Sequence, residues 1–327
     1  MVAFGAVVAA LALAGVFSGG DDDEQATTPV GGTAAPPATS QPPDEETTTG
    51  GARPALTEIE VGGRPTAVAA ASGAVWVADS FSRRAAVLDS EAPDARPTSL
   101  DLDGPATDVT VSGGAAWYSL PEQQAVERRE LADPVAAGPL IRLDGFPAAI
   151  AAGDGAVYAL AEKSIEVLGV DSGEVTDTVG VEGFGSGIAA GEGYVWVVKD
   201  NRELVRVDPE SGELDGEPVE VQEAFGVAVG EGEVWVVTAS GEVTRIDPDS
   251  LEAATAPSAV RGALDVAAGL GSVWVTSSRR TVTRLDPETM RPVGGPLPVG
   301  EPASASVGEE AVWVANGGDG TLTRIEP

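Results

Sequence analysis

The feature that most constrains the fold is an aromatic residue that recurs about every 40 positions, each time inside a short apolar run. These residues are Trp76, Trp117, Tyr158, Trp196, Trp235, Trp274 and Trp313. Around Trp235, positions 232–248 contain two runs of alternating apolar and polar residues on either side of Ala-Ser-Gly, which is typical of a β-hairpin. Seven such repeats, with four strand-like runs in each, predict an all-β fold: a seven-bladed β-propeller with four-stranded blades.

The two ends of the repeat region predict how the ring closes. The segment 57–61 is similar to the last strand of a repeat, whereas the final repeat stops after its third strand, at 321–325. We therefore expect 57–61 to supply the outer strand of the C-terminal blade, beside strands at 303–307, 311–315 and 321–325. A blade shared in this way protects two sheet edges that would otherwise be free to pair with other chains.

Two segments of different composition precede the propeller, which we place at 55–327. Residues 1–18 are apolar and uncharged, which predicts a single-pass membrane anchor. The alternatives are a cleaved signal peptide, which would imply secretion, and a buried helix. Residues 19–54 are rich in Thr, Pro, Gly and acidic residues, which predicts a disordered linker. Because the cytoplasmic leaflet is negatively charged, the acidic run at 21–24 favours an extracytoplasmic propeller.

The composition narrows the possible functions. The formal net charge of −33 over 327 residues disfavours nucleic acid as a partner, because binding to phosphates requires clusters of Lys and Arg. The chain contains neither Cys nor His, which excludes disulfides, thiolate or imidazole metal ligands and Ser-His-Asp triads. We predict no cofactor.

Recurrent turns divide the propeller into two faces. Gly-rich turns connect the first and second strands of the repeats, and Asp208, Asp247 and Asp286 each precede Pro after a third strand. Since Asp and Pro are typical of the first two positions of a β-turn, these acids are predicted to form turns rather than to act in catalysis. We call this side the turn face. The opposite side, which we call the variable face, carries the loops between second and third strands and the crossings from one blade to the next, where the repeats differ.

The variable face is the first candidate for binding, because loops on a rigid scaffold commonly carry function. Many of the few basic residues and phenylalanines are predicted to converge on it. The candidate ligand-binding residues are Arg83, Arg84, Phe184, Lys199, Asp200, Arg202, Phe225, Arg279 and Arg280. The alternative is that these exposed side chains are simply solvated.

The central channel is the second candidate. Alignment of the inner strands on the recurring aromatic residue places Asp108, Asp265 and Ser304 in one column of otherwise small residues. Asp108 and Asp265 belong to blades two and six, so we expect them to face each other across the channel. Two solvated acids in a water-filled channel are the simpler interpretation, and a cation or small-ligand site is the alternative.

The repeat motifs resemble those of a known group of propellers. Three stretches are similar to bacterial YVTN-type and streptogramin-lyase-like propellers, and also to the sensor propellers of membrane-anchored Ser/Thr kinases. They are Val-Trp-Val at 195–197, Leu-Val-Arg-Val-Asp-Pro-Glu-Ser-Gly at 204–212 and Val-Trp-Val-Ala-Asn at 312–316. The lyases use a catalytic His, which this chain lacks. The resemblance therefore implies a membrane-tethered, non-catalytic sensor or scaffold that binds a protein, peptide or glycan. An enzyme of the lyase or lactonase type, with a metal held by carboxylates, is the alternative.

Overall fold

Each repeat forms one antiparallel sheet, and the inner strands of successive sheets contact each other in a closed ring. The computed structural model describes residues 54–256 and 259–327. In these residues there are seven sheets, which we number as blades 1 to 7, so the predicted seven-bladed propeller is confirmed.

The strands follow one another from the ring axis outwards in each blade. The chain enters at β1 (Ala55–Glu60). Blade 1 contains β2 (Pro65–Ala71), β3 (Ala74–Asp79), β4 (Arg84–Asp89) and β5 (Thr98–Asp101). Blade 2 contains β6 (Asp108–Ser112), β7 (Ala115–Leu120), β8 (Ala125–Glu130) and β9 (Leu140–Arg142), with a 3-10 turn at Pro121–Gln123. Blade 3 contains β10 (Pro147–Gly153), β11 (Ala156–Ala161), β12 (Ser164–Gly169) and β13 (Val175–Gly180).

The remaining blades repeat this order. Blade 4 contains β14 (Gly185–Gly191), β15 (Tyr194–Lys199) and β16 (Glu203–Asp208), and its outer position is divided between β17 (Glu213–Leu214) and β18 (Val219–Glu220). Blade 5 contains β19 (Ala224–Gly230), β20 (Glu233–Thr238), β21 (Val243–Ile246) and β22 (Ala253–Ala256). Blade 6 contains β23 (Ala263–Gly269), β24 (Ser272–Ser277), β25 (Thr281–Leu285) and β26 (Leu297–Pro298). Blade 7 contains β27 (Pro302–Val307), β28 (Val312–Asn316) and β29 (Thr321–Glu326).

Strand β1 completes blade 7 and closes the ring, as the sequence predicted. It pairs antiparallel with β29, with Ile59 opposite Leu322 and Glu60 opposite Thr321. The strand covers 55–60 rather than 57–61, because the chain already turns at Val61 and Gly62, whose amides both donate to the carbonyl of Gly320. The first and last strands of the propeller therefore lie in one sheet.

The recurring aromatic residues fill the spaces between blades. Each of the seven apolar clusters combines residues of two neighbouring blades. Trp235 of blade 5, for example, is fully buried and belongs to one cluster with Val266 and Val275 of blade 6. Its indole nitrogen donates to the carbonyl of Gly230 at 3.0 Å. The aromatic ring thus supplies a large apolar area while its polar edge stays hydrogen-bonded.

The Asp-Pro motifs form turns, as predicted. Asp247 accepts hydrogen bonds from the amides of Asp249 and Ser250, and Asp286 accepts one from the amide of Thr289 at 2.8 Å. Hydrogen bonds lower the pKa of all three turn aspartates. The donor with the largest effect is the Ser211 amide for Asp208, the Ser250 amide for Asp247 and the Thr289 side chain for Asp286. These carboxylates are therefore ionised turn formers.

The segments that precede the propeller lie outside this description. No helix among residues 54–256 and 259–327 is long and apolar enough to cross a bilayer. The predicted anchor at 1–18 and the predicted linker as far as residue 53 fall outside the described residues.

Candidate functional site

All nine candidate residues of the variable face lie at the loops or strand ends of that face. Arg83 immediately precedes β4 and Arg84 is its first residue. Phe184 precedes β14, and Phe225 is the second residue of β19. The others lie around two loops between second and third strands, one in blade 4 and one in blade 6: Lys199, Asp200, Arg202, Arg279 and Arg280.

Phenylalanines give the variable face its apolar character. Phe81, Phe146 and Phe184 are 58%, 48% and 58% exposed. Phe225 is instead half-buried and packs against the cluster between blades 5 and 6. The sequence placed phenylalanines on this face, but only the structure shows which ones reach solvent.

Two of the exposed rings carry a cation on their faces. The guanidinium of Arg64 lies 4.0 Å from the ring centroid of Phe81, and the ammonium of Lys163 lies 5.2 Å from that of Phe184. A cation over an aromatic face is attracted by the ring quadrupole. Each pair joins two different loops of the face, so the rings are held in place while remaining exposed.

Several candidate cations are already paired with acids. Lys199 lies 3.1 Å from Glu203, and Arg83 lies 3.9 Å from Asp103. Exposed pairs of this kind contribute little to stability, but they reduce the charge available to a ligand.

Arg280 is the most fully neutralised candidate cation. Its guanidinium lies 3.2 Å from Glu301 and 2.7 Å from Asp319. Three other candidate cations have no acid within 4 Å among residues 54–256 and 259–327: Arg84, Arg202 and Arg279. These are the bases of the predicted set that remain available to an anion.

The aspartates of the variable face hold the crossings in position. Asp200 accepts a hydrogen bond from the amide of Phe184 at 2.9 Å. Asp79 and Asp319 accept equivalent bonds from the amides of Arg64 and Glu301 in the crossings that enter blades 1 and 7. Asp200 therefore positions Phe184 in addition to lying beside it.

The channel aspartates are buried rather than solvated, so the expectation of two acids in water was wrong. Asp108 and Asp265 have no exposed surface. One oxygen of Asp108 accepts from the amide of Val109 at 2.7 Å, and the other accepts from the amide of Ile150, in blade 3, at 2.9 Å. Asp108 therefore links the inner strands of blades 2 and 3.

Asp265 repeats this arrangement on the other side of the ring. Its carboxylate accepts from Val266 at 2.8 Å and from Ala305, in blade 7, at 2.9 Å. Burial raises the pKa of both aspartates well above the usual range, and the charge of Asp265 raises that of Asp108 further. The third channel residue, Ser304, is also buried, and its hydroxyl has no hydrogen-bond partner among the described residues.

No candidate metal centre is present in the part of the chain that the structure describes. Within 54–256 and 259–327, no three acidic side chains are grouped closely enough to hold a metal ion. Asp108 and Asp265 each use both oxygens for backbone amides.

Sequence reasoning missed a column of arginines in the third strands. In five blades an Arg lies directly opposite the recurring Trp: Arg128, Arg206, Arg245, Arg284 and Arg324. Arg245 donates to the carbonyls of Pro287 and Glu288 in the Asp-Pro turn of the next blade, both at 3.1 Å. Arg206 makes the same contact with Pro248. Arg206 and Arg245 therefore brace the turn face, and the repeated pattern Arg-x-Asp/Glu-Pro, which four of the five arginines share, was the signal that could have revealed the column.

Comparison with known proteins supports the fold and does not identify a family. No model of a known protein family matches the sequence, and no curated protein matches it. Among solved structures, one similar chain is described as Kuenenia stuttgartiensis hydrazine synthase, with a TM-score of 0.68, 13% identity, and coverage of 82% of this chain and 97% of that one. Another belongs to a mitotic checkpoint complex, with a TM-score of 0.68, 10% identity, and coverage of 92% and 99%.

Proposed function

We propose that this protein is a non-catalytic binding module, tethered to the outer side of a membrane, which captures a protein, peptide or glycan through the variable face of its propeller. β-Propellers commonly serve as binding or scaffold modules. On the sequence resemblance alone, the repeats are assigned to the YVTN and streptogramin-lyase-like group.

The observation that carries the proposal is the set of exposed phenylalanines on one face. Phe81, Phe146 and Phe184 are each about half exposed, although burial would be favourable for so large an apolar side chain. Aromatic residues that are rigid and exposed are typical anchors of binding interfaces. Exposed large apolar residues on the turn face, such as Val135 and Leu214, are aliphatic and carry no stacked cation among the described residues.

The test is selection of binders followed by face-specific variants. Peptides selected from a random library on the full chain are expected to lose about tenfold or more in affinity for the double variant Phe81→Ser, Phe184→Ser, because aromatic anchors dominate interface energies. The matched control is the double variant Val135→Ser, Leu214→Ser on the turn face, which should bind as the parent does. Equal binding to both variants, or a loss confined to the control, would contradict the proposal; a glycan array tests the third ligand class in the same way.

Membrane tethering requires a separate experiment. The full chain is expected to sediment with membranes and to be digested by protease added outside the cells, whereas a variant without residues 1–18 should remain soluble. Protection of the propeller in intact cells would contradict the proposed orientation.

The lyase- or lactonase-like alternative gains no support from the described residues. It requires carboxylates that hold a metal, and 54–256 and 259–327 contain no such group.

A further inference from the structure

A crevice opens on the variable face between blades 7 and 1. Its volume is about 390 Å³, and it is lined by the crossing from Val61 to Pro65, the loop around Phe81 and the start of β4. Val77 and Ala86, which face blade 7, form an apolar floor. A space of this size lies within the range typical of small-ligand sites.

At the crevice, blade 1 has a small residue where blades 2 and 3 have a glutamate. In each blade, one residue of the third strand pairs with the residue that follows the recurring aromatic residue. This third-strand residue is Ala86 in blade 1, Glu127 in blade 2 and Glu166 in blade 3. In those two blades the carboxylate fills the space beneath the incoming crossing. Glu127 accepts from the amide of Asp103 at 2.7 Å, and Glu166 accepts from Asp144 at 2.9 Å.

In blade 1 the position of that glutamate is Ala86, and the crossing is held instead by Asp79, which accepts from the amide of Arg64 at 3.0 Å. Glu166 also accepts from the amide of Gly145, and the residue at that position in blade 1 is Gly63, which lines the crevice. Among the described residues no acceptor bonds the amide of Gly63, whereas the preceding amide, that of Gly62, donates to Gly320. A backbone donor and the space for an anion thus occur together.

The charges of the crevice favour an anion. Arg84 and Arg64 both line it, and neither has an acid within 4 Å in the described part of the chain. The one acid in the lining, Asp79, is only 6% exposed, and its oxygens accept hydrogen bonds from the amides of Phe81, Ser82 and Arg64 and from the Ser82 hydroxyl. Its charge is therefore offset by four hydrogen-bond donors, three of them in its own loop.

A second crevice, on the other side of blade 7, provides an internal comparison. It is lined by Arg280 and Asp319, and there the cation is already neutralised by Asp319 and Glu301. Of the two crevices beside blade 7, only the one against blade 1 presents unpaired cations within the described residues.

We propose that the crevice between blades 7 and 1 binds a carboxylate attached to an aromatic or branched aliphatic group. The carboxylate takes the position that Glu127 and Glu166 fill in their own blades, with Arg84, Arg64 and the Gly63 amide as donors. The apolar group lies on the floor at Val77 and Ala86, beside the ring of Phe81. The site adds a ligand class to the proposed function. It rests on that function only for the source of the acid, which is either a free small carboxylate or the C-terminus of a bound peptide.

The test measures binding of small probes to the full chain by calorimetry and ligand-observed NMR. 3-Phenylpropionate represents a free acid, and N-acetyl-phenylalanine represents a peptide C-terminus; their uncharged amides are the ligand controls. We expect each acid to bind at least about tenfold more tightly than its amide, since hydrogen bonds to charged groups are the strong ones. Equal binding of acid and amide would overturn the proposal.

Two variants test the location of the site. Arg84→Met, at an exposed position, is expected to weaken binding of the acids about tenfold or more, while Arg280→Met in the second crevice leaves it unchanged. Ala86→Glu places a carboxylate at the position of Glu127 and Glu166 and is expected to abolish binding, and Ala86→Gln at the same position is the uncharged control for its effect on folding. Unchanged binding in Arg84→Met and Ala86→Glu would refute the site.

The outcomes also separate this site from the proposed function. Small acids that bind while no peptide or protein binds would retain the site and reject capture of a macromolecule. Peptides that bind through Phe81 and Phe184, with no discrimination between acid and amide, would retain the binding face and reject the carboxylate site.

Discussion

Substitution of Ile59 by Ala is expected to open the propeller at its closing blade. Ile59 lies opposite Leu322 in the pairing between β1 and β29, and its side chain is 7% exposed. It packs in the cluster between blades 7 and 1 with Trp313, Leu322 and Ala86. The residue is thus the main apolar contact between the N-terminal strand and the neighbouring blade.

The expected cost follows from the atoms removed. Replacing Ile by Ala deletes three buried carbons, which at about 0.8 kcal/mol each amounts to roughly 2.4 kcal/mol from transfer alone. A cavity that does not collapse raises the total toward about 4 kcal/mol. The matched control is Glu58→Ala, at an exposed position of the same strand, which should change the free energy of unfolding by no more than about 0.5 kcal/mol.

The assay is urea unfolding of the full chain followed by tryptophan fluorescence. All six tryptophans are buried, so loss of the propeller changes their emission strongly. Deletion of 55–60 should destabilise the protein at least as much as Ile59→Ala, whereas deletion of 21–46 should have little effect. If Ile59→Ala and Glu58→Ala unfold at the same urea concentration, β1 does not close the ring as described.

Two further predictions concern the braces between blades. The folded-state pKa of Asp108 and of Asp265 is raised by burial, so their contribution to stability is complete below the unfolded pKa of about 3.9 and is lost as the pH rises through the folded value. The free energy of unfolding of the parent should therefore fall between about pH 4 and the folded-state pKa, by up to about 1.4 kcal/mol per pH unit for each group. The double variant Asp108→Asn, Asp265→Asn should show a flatter pH profile in urea titrations at several pH values. Identical profiles would show that neither group titrates in this window. Arg245→Met, which removes the hydrogen bonds to Pro287 and Glu288, should lower the free energy of unfolding by about 1–2 kcal/mol. The matched control, Arg291→Met at an exposed position, should leave it unchanged. A similar small effect of both substitutions would mean that Arg245 does not brace the two blades.

Much of the architecture could be predicted from sequence because its signals are local. The spacing of Trp76 to Trp313 specifies the number of blades, and the alternation of apolar and polar residues specifies the strands. The Asp-Pro turns follow from the conformational preferences of two adjacent residues. Closure by β1 was also predictable, because an incomplete first repeat and an incomplete last repeat leave one consistent pairing.

The candidate site was predicted less completely. The sequence placed the phenylalanines and several bases on the variable face, but it could not tell exposed Phe184 from half-buried Phe225, nor unpaired Arg84 from neutralised Arg280. It also treated bases as characteristic of that face, and so missed Arg206 and Arg245, which brace the turn face. Exposure and pairing depend on neighbours that lie 21 to 39 residues away in the chain, as Glu301 and Asp319 do from Arg280.

The sequence by itself therefore determined the repeat, the strands, the turns and the closing strand, all of which depend on residues within one repeat or on the match between its two ends. Only the tertiary structure decided that Asp108 and Asp265 turn away from water to amides of the next blade, and that Ala86 leaves open a space which Glu127 fills one blade later. The reason is physical: the direction of a side chain at the inner strand, and the volume left between two blades, are set by the register and packing of neighbouring sheets. No single repeat contains that information.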